Sequence, residues 1–236
     1  MNRILRFTVI NKVSTKGLKN WKLPPEKRPI VYPPFSSRFL PVVPKTPPLH
    51  GSSKMLKMTK RLDLIRGPET VHTELLHRQF GVRAVTGGQL RQYHFRMMKR
   101  VLDFVLKQTK DSFAIFRMDP PWKPCTQRKP GTTLGGGRGS IKFYVTPVKS
   151  GRILLEVGGS IEWNHIQKYL KTIANTLPFE AEAVSYESML IQKENDEKIE
   201  RENINKFSFK YALENNMMGC HSWASPYDFK WFGKYR

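Results

Sequence analysis

Cysteine, long apolar runs and, in the first sixty residues, acidic side chains are all scarce in this chain. Its 236 residues include two cysteines, Cys125 and Cys220, and they do not form a C-x-x-C pair. This scarcity argues against a disulfide framework and against a zinc site with closely spaced cysteine ligands. No apolar run approaches the roughly 20 residues that span a bilayer, so we expect no membrane insertion. We also predict no catalytic residues, no metal ligands and no cofactor.

Positive charge is what the chain has in abundance. Lysine and arginine number 41 against 19 acidic residues, which gives a formal net charge of +22. An excess of this size is self-repelling in a free monomer and indicates a polyanionic partner. Nucleic acid is the first candidate and an anionic membrane surface is the second. Residues 81–150 alone hold fourteen basic residues against three aspartates, about half of the whole excess.

The N-terminal part divides into two basic segments. The first sixty residues hold thirteen basic residues and one acid, Glu26. Residues 1–23 are basic, acid-poor and amphipathic, which predicts a mitochondrial presequence, with a nucleic-acid-binding arm as the alternative. Residues 24–60 form a proline-rich basic arm, which we expect to be an extended tether or a disordered segment outside the core.

Residues 61–189 have the patterns of a globular core. They predict an α+β domain with a largely antiparallel sheet, two helices, and extended N- and C-terminal arms. One helix is expected to start at Gln89 and the other to be capped by Ser160. The apolar stripes of the two helices are Leu90, His94, Met97, Val101 and Val105, and Ile166, Leu170, Ile173 and Leu177. Strands are predicted at residues 80–88, 112–118, 141–148, 151–157 and 179–187, with a hairpin turn near Lys149–Gly151.

A long gap between two predicted strands, from Asp119 to Ser140, contains the most distinctive motif, a glycine-rich stretch from Gly131 to Gly139. It lacks the Lys-Ser/Thr pair of a Walker loop. It also leads into a strand, whereas a dinucleotide fingerprint opens a helix. Glycines let a backbone approach phosphates closely, and the surrounding basic and aromatic side chains suit binding to RNA. The predicted RNA-binding residues are Arg83, Arg91, Arg96, Lys99, Arg100, Lys123, Arg128, Lys129, Gly135, Gly136, Gly137, Arg138, Gly139 and Lys142.

A second motif raises an enzymatic alternative. Gly87, Gly88 and Gln89 match the GGQ tripeptide that translation release factors present to the peptidyl-tRNA ester. This leaves open a peptidyl-tRNA hydrolase that rescues stalled ribosomes. A three-residue match is weak, however, and the glycines are explained more simply if they end a strand before the helix. A third interpretation is a basic membrane-surface or assembly factor without rRNA contacts.

From about Leu62 to Met189 the chain resembles large-subunit ribosomal protein L-sixteen, a universal family that includes the L-ten-e proteins. The matching stretches are FGVRAVTGGQL, FAIFRM, KPCTQRKPGTTLGGGRGSIKFYVTPVKSGRILLEVGG and TLPFEAEAVS. The stretches LDLIRGPE and SPYD are similar to the animal mitochondrial branch in particular. The resemblance implies an α/β-hammerhead type of fold and a structural, non-enzymatic role.

The same resemblance implies the partners. These are large-subunit rRNA, A-site tRNA near the peptidyl-transferase centre and neighbouring mitochondrial ribosomal proteins, in the mitochondrial matrix. Gly135, Gly137, Arg138 and Gly139 match the family's loop. Thr133 and Gly136 stand where relatives usually carry Arg and Lys, so the loop has lost two charges.

The C-terminal residues 190–236 have no counterpart in bacterial members of this family. We predict a charged, solvated helix over residues 192–203. The last thirty residues hold nine of the chain's 27 aromatics without helical or strand periodicity. Such a segment buries its rings against a surface, which is either the protein's own core or a partner.

Overall fold

The computed structural model describes residues 38–48, 55–60, 62–109, 111–133, 135–205 and 207–233. The predicted presequence lies outside these residues, as does most of the proline-rich arm. Within them the fold is α+β, as predicted, but it contains two antiparallel sheets instead of one. The strands are β1 (Phe80–Ala84), β2 (Gly88–Arg91), β3 (Ser112–Phe116), β4 (Lys123–Gln127), β5 (Ser140–Val148), β6 (Ile153–Gly159) and β7 (Ala181–Ser185).

Strand order shows how the two sheets divide the chain. The four-stranded sheet has the order β3-β6-β1-β7, and the three-stranded sheet has the order β2-β5-β4. The hairpin predicted between β5 and β6 is therefore wrong, because these two strands belong to different sheets. The turn near Gly151 carries the chain from one sheet to the other, with Gly151 at a φ of +86°.

The helices are α1 (Gln92–Gln108), α2 (Trp163–Thr176), α3 (Tyr186–Glu202), α4 (Phe209–Glu214) and α5 (Pro226–Trp231), with a short 3₁₀ segment at Met217–Ser222. The first helix begins three residues later than predicted, because Gln89 lies in β2. The cap of α2 is Glu162, so the prediction of Ser160 is also wrong. Among the described residues, no helix is both long and apolar enough to cross a membrane.

The main core lies between the four-stranded sheet and the pair α1 and α2. The predicted stripe of α2 is confirmed, since Ile166, Leu170 and Ile173 are fully buried and Leu177 is nearly so. The stripe predicted for α1 is rotated, because Met97 and Val101 are only partly buried. Its fully or nearly fully buried residues are His94, Phe95, Met98, Leu102, Val105 and Leu106.

Part of the proline-rich arm belongs to this core. Leu40 is 1% exposed and packs in the main hydrophobic cluster. The ammonium of Lys99 donates to the Leu40 carbonyl at 2.6 Å, and the Gln92 amide donates to the Val43 carbonyl at 3.2 Å. The expectation that the whole arm lies outside the core is therefore wrong for this stretch, where an apolar side chain anchors the extended backbone to α1.

The C-terminal extension contains one exposed helix and a small aromatic cluster. Helix α3 has no buried residues, which confirms the predicted solvated helix, and the predicted boundary at residue 189 falls inside it. Beyond it, the ring of Tyr227 stacks on Trp231 at 5.4 Å between centroids. Trp231 also lies directly over Gly67, so the end of the described chain returns to the residues that precede β1.

Candidate nucleic-acid interface

The glycine-rich stretch is the connection of a long hairpin between β4 and β5. The predicted gap from Asp119 to Ser140 contains the strand β4, so the loop itself is shorter and covers residues 128–139. Strand β4 was missed because its five residues include Pro124, which is tolerated here at the edge of the sheet. Gly131, Gly135 and Gly137 have φ values of +77°, +94° and +75°, a backbone region that suits glycine.

Two features shape this loop. The Arg128 guanidinium donates to the Gly137 carbonyl from Nε at 3.1 Å and from Nη2 at 2.7 Å. At the base of the loop, a Cβ on Gly139 would lie 2.3 Å from the Gln127 carbonyl oxygen. Gly139 therefore allows the two strands to approach each other closely, whereas Gly136 has a negative φ and more space around it.

A segment of the arm contacts this loop. The Lys57 ammonium donates to the Arg138 carbonyl at 3.1 Å, and Arg138 Nη1 donates to the Lys57 carbonyl at 3.4 Å. The hairpin and the arm segment together present a surface with five exposed cationic side chains. We call it the loop surface, and its cations are Lys57, Arg128, Lys129, Arg138 and Lys142. Lys57 was not predicted, although its stretch KMLKMTK carries three lysines within seven residues.

Arg91 extends the cationic region along the three-stranded sheet. Its guanidinium lies over the Phe143 ring, 3.8 Å from the centroid. Arg91 and Phe143 also line a cleft together with Lys142, Tyr93 and Tyr144. Cations beside exposed aromatic faces can contact both the phosphates and the bases of single-stranded RNA.

A second basic surface runs along α1. Arg96 and Arg100 are exposed there, and they line a groove of about 780 Å³ between α1 and α2 with Phe104, Lys107 and Tyr169. Lys99 also lines this groove, but it forms an ion pair with Asp103 at 2.9 Å in addition to its bond to Leu40. Its charge is therefore partly neutralised, and its clearest contribution is to hold the arm on α1.

Two predicted RNA-binding residues are less exposed than the cations of the loop surface. Arg83 lies on β1 in the other sheet, where it pairs with Glu182 and donates to the Gln192 amide oxygen at 2.6 Å. Lys123 lies on β4 but is only 4% exposed. The charge pattern of the sequence could not distinguish these side chains from exposed ones, because their surroundings come from distant parts of the chain.

The GGQ tripeptide has a packing explanation. A Cβ on Gly87 would lie 1.8 Å from the Ile65 carbonyl oxygen, and one on Gly88 would lie 2.2 Å from the Phe179 ring. Gln89 pairs with Pro147 in the ladder between β2 and β5. The two glycines are therefore required by the close approach of neighbouring segments, and the glutamine is part of a regular strand.

A comparison with protein families gives an independent result. The family model described as "Ribosomal protein L16p/L10e" matches residues 52–184, which is more than half of the chain. The matched range contains β1 to β6, α1, α2, most of β7 and the complete glycine-rich loop. It excludes α3 and everything that follows.

Proposed function

Because this chain belongs to the L16p/L10e family of ribosomal proteins, we propose that it works in the mitochondrial large ribosomal subunit and helps to place the A-site tRNA. Family membership makes it a structural, rRNA-binding protein of the large subunit and not an enzyme. The mitochondrial location, the tRNA contact and the neighbouring mitochondrial ribosomal proteins are the additional parts of the proposal.

The loop surface is the observation that supports RNA binding most directly. Its cations are exposed, and all but Lys57 belong to a hairpin whose exposed loop glycines allow the backbone to approach phosphate oxygens closely. Each lysine or arginine that neutralises a phosphate releases condensed counterions, so binding to RNA is expected to weaken as salt increases. The exposed arginines of α1 offer a second set of phosphate contacts on the same domain.

The proposed tRNA contact uses the end of the glycine-rich loop. With Thr133 and Gly136 in place of the charged residues of relatives, the loop relies on Lys129, Arg138 and its exposed backbone. We therefore expect a contact with the tRNA acceptor arm that is weaker, and less dependent on salt, than a loop carrying two more charges would make. The basic, acid-poor residues 1–23 support the mitochondrial location.

Cosedimentation with crosslink mapping tests the whole proposal. The full chain carrying a C-terminal tag would be expressed in cells, and mitochondrial lysates would be fractionated on gradients at physiological salt. We expect the protein in the large-subunit fraction, with crosslinks to rRNA from the loop surface and from α1. Protein that sediments free of the large subunit would contradict the proposal, and crosslinks to lipid without rRNA would favour a membrane-surface factor.

Arg138→Ala tests the loop surface itself. We expect this variant to bind large-subunit rRNA more weakly and to reduce the slope of log K against log salt by about one unit, because one phosphate contact is lost. Lys193→Ala, which removes an exposed charge from the acidic helix α3, is the matched control and should leave the slope unchanged. Equal slopes for Arg138→Ala and the unmodified protein would remove Arg138 from the contact surface.

A further inference from the structure

A cleft lies between the arm segment around Met58 and the three-stranded sheet. Its volume is about 390 Å³, which falls in the range of roughly 300–1,000 Å³ that is typical of small-ligand sites. The side chains that matter for its chemistry are Lys60, Gln89, Arg91, Lys123, Cys125 and Phe143. The cleft therefore combines cations, an amide and an aromatic ring in a space of molecular size.

The charge of this cleft is of one sign. Lys60, Arg91 and Lys123 line it, and the described residues of its lining include no aspartate or glutamate. Burial raises the pKa of the Cys125 thiol, and the charges of the same three cations act in the opposite direction. Cations gathered in a partly desolvated space favour the entry of an anion.

The rest of the lining suits a flat, hydrogen-bonding group. The Arg91 guanidinium lies against the Phe143 ring, and both planar groups offer stacking surfaces of the kind used for unpaired bases. Gln89 and Gln127 line the same cleft, and each amide has both donor and acceptor atoms for a base edge. A phosphate and a base on one ligand would satisfy both halves of this lining.

We propose that this cleft receives a single unpaired ribonucleotide of the bound RNA, with its phosphate near Lys60 and Arg91 and its base near Gln89 and Phe143. The assignment rests on the proposed function and deepens it, because it names one nucleotide-sized site within a broad RNA surface. It also gives Gln89 of the GGQ tripeptide a role, which is to read a base edge. Gly87 and Gly88 position this glutamine by allowing β2 to pack against Ile65 and Phe179.

Protection of Cys125 from alkylation provides the test. Cys125 is partly exposed in the cleft, whereas Cys220 is 3% exposed and serves as the slow internal reference. The full chain would be treated with iodoacetamide in the presence of each of the four nucleoside monophosphates, the matching nucleosides or inorganic phosphate. We expect at least one monophosphate to slow alkylation of Cys125 hyperbolically, to about a tenth of the free rate at about ten times its Kd.

Two variants connect this protection to the cleft. Lys60→Ala should weaken protection by removing a phosphate contact, and Gln89→Ala should reduce the difference between bases. Lys171→Ala, an exposed lysine on α2, is the matched control and should leave protection unchanged. Lys60 is exposed and lies outside the helices and strands, so its substitution is compatible with folding, which thermal unfolding of each variant verifies.

The outcomes separate this site from the broader function. An unchanged Cys125 rate at saturating monophosphate would overturn the proposal, and so would equal protection by inorganic phosphate, which would mark a simple anion site. Binding of the same preparations to large-subunit rRNA would be measured in parallel. Retained rRNA binding without Cys125 protection contradicts only the nucleotide site, whereas loss of rRNA binding by the unmodified protein contradicts the proposed function.

Discussion

At the scale of single residues, the least expected group is the carboxylate of Glu156 in the middle of β6. It is 1% exposed, and both of its oxygens accept hydrogen bonds, from the backbone N–H groups of Leu76 at 3.0 Å and His77 at 3.1 Å. The Arg117 guanidinium forms an ion pair with it. This carboxylate therefore ties the segment before β1 to the centre of the four-stranded sheet.

Removal of this carboxylate should be costly. We expect Glu156→Ala to lower the free energy of unfolding by about 3–5 kcal/mol, because it leaves the Arg117 charge and two backbone donors without their acceptor. Urea denaturation measures the effect. Glu197→Ala is the control, since its ion pair with Arg201 on α3 is exposed, and it should change the stability by less than about 0.5 kcal/mol. Similar costs for the two variants would contradict the assigned role of Glu156.

His94 makes the stability of the fold depend on pH. It is 3% exposed, its Nδ1 accepts a hydrogen bond from the Arg91 backbone N–H at 2.9 Å, and burial lowers its pKa from 6.5. The folded state thus favours the neutral ring, and the unfolded chain binds the proton more readily. The contribution of the neutral His94 ring to the free energy of unfolding is fully present above about pH 6.5, and it is lost as the pH falls from there through the lowered pKa.

The measurement is a pair of urea titrations at about pH 7.5 and about pH 5. We expect the unmodified protein to lose more stability at the lower pH than His94→Gln does. His165→Gln, which removes an exposed histidine on α2, should behave like the unmodified protein. The same pH dependence in all three proteins would show that His94 does not contribute to it.

At the scale of elements, the hairpin of β4 and β5 depends on glycine for two different reasons. Gly131, Gly135 and Gly137 have a positive φ, whereas Gly139 is required by the proximity of the Gln127 carbonyl. The positions of the glycines were evident from the sequence. Their separate roles depend on how closely the two strands approach, which only the folded hairpin reveals.

Gly139→Ala should therefore disturb the hairpin more than Gly136→Ala does. A methyl group at position 139 forces the two strands apart, and this displaces Arg138 and the loop that carries it. We expect affinity for large-subunit rRNA to fall by about tenfold, corresponding to about 1.4 kcal/mol. At position 136 the nearest atom is the Thr133 carbonyl oxygen at 3.7 Å, so that variant should bind normally. Filter binding compares them, and equal affinities would exclude a role for hairpin geometry.

The apolar stripe of α2 was predicted more successfully than the pairing of the strands. The stripe of α2 repeats every three or four residues and needs no information from outside the helix. Strand β4 is short, contains Pro124 and lies at a sheet edge, so its local pattern is weak. The division into two sheets depends on partners far apart in the chain, such as Gln89 and Pro147.

At the scale of the whole molecule, the C-terminal extension differs in charge from the rest. Helix α3 carries six acidic residues against three basic ones, although the chain as a whole has a net charge of +22. The extension is nevertheless joined to the family domain, because the Trp231 ring of α5 covers Gly67. A Cβ at Gly67 would lie 2.6 Å from this ring.

Gly67→Ala should release α5 from the domain. Gly67 and Gly151 have the same φ of +86°, but the nearest atom to a Cβ at Gly151 would be 4.0 Å away. Gly151→Ala is therefore a matched control for backbone strain. We expect the free energy of unfolding of each variant to fall by roughly 1–2 kcal/mol, because alanine is strained in the left-handed conformation. Only Gly67→Ala should also show faster tryptic cleavage at Lys210 and Lys230, because local opening makes the helical backbone around these exposed lysines accessible to the protease. Equal cleavage in both variants would contradict the docking role of Trp231.

The sequence by itself determined the sign and size of the charge, the α+β class, the α2 stripe and the presence of a basic glycine-rich loop. These properties follow from residue types and short-range spacing. The tertiary structure decided which cations remain exposed: Arg83 pairs with Glu182 from 99 residues away, whereas Lys57 joins Arg138 on the loop surface. It also decided that Leu40 belongs to the core. The physical reason is that burial and ion pairing depend on neighbours brought together only by folding.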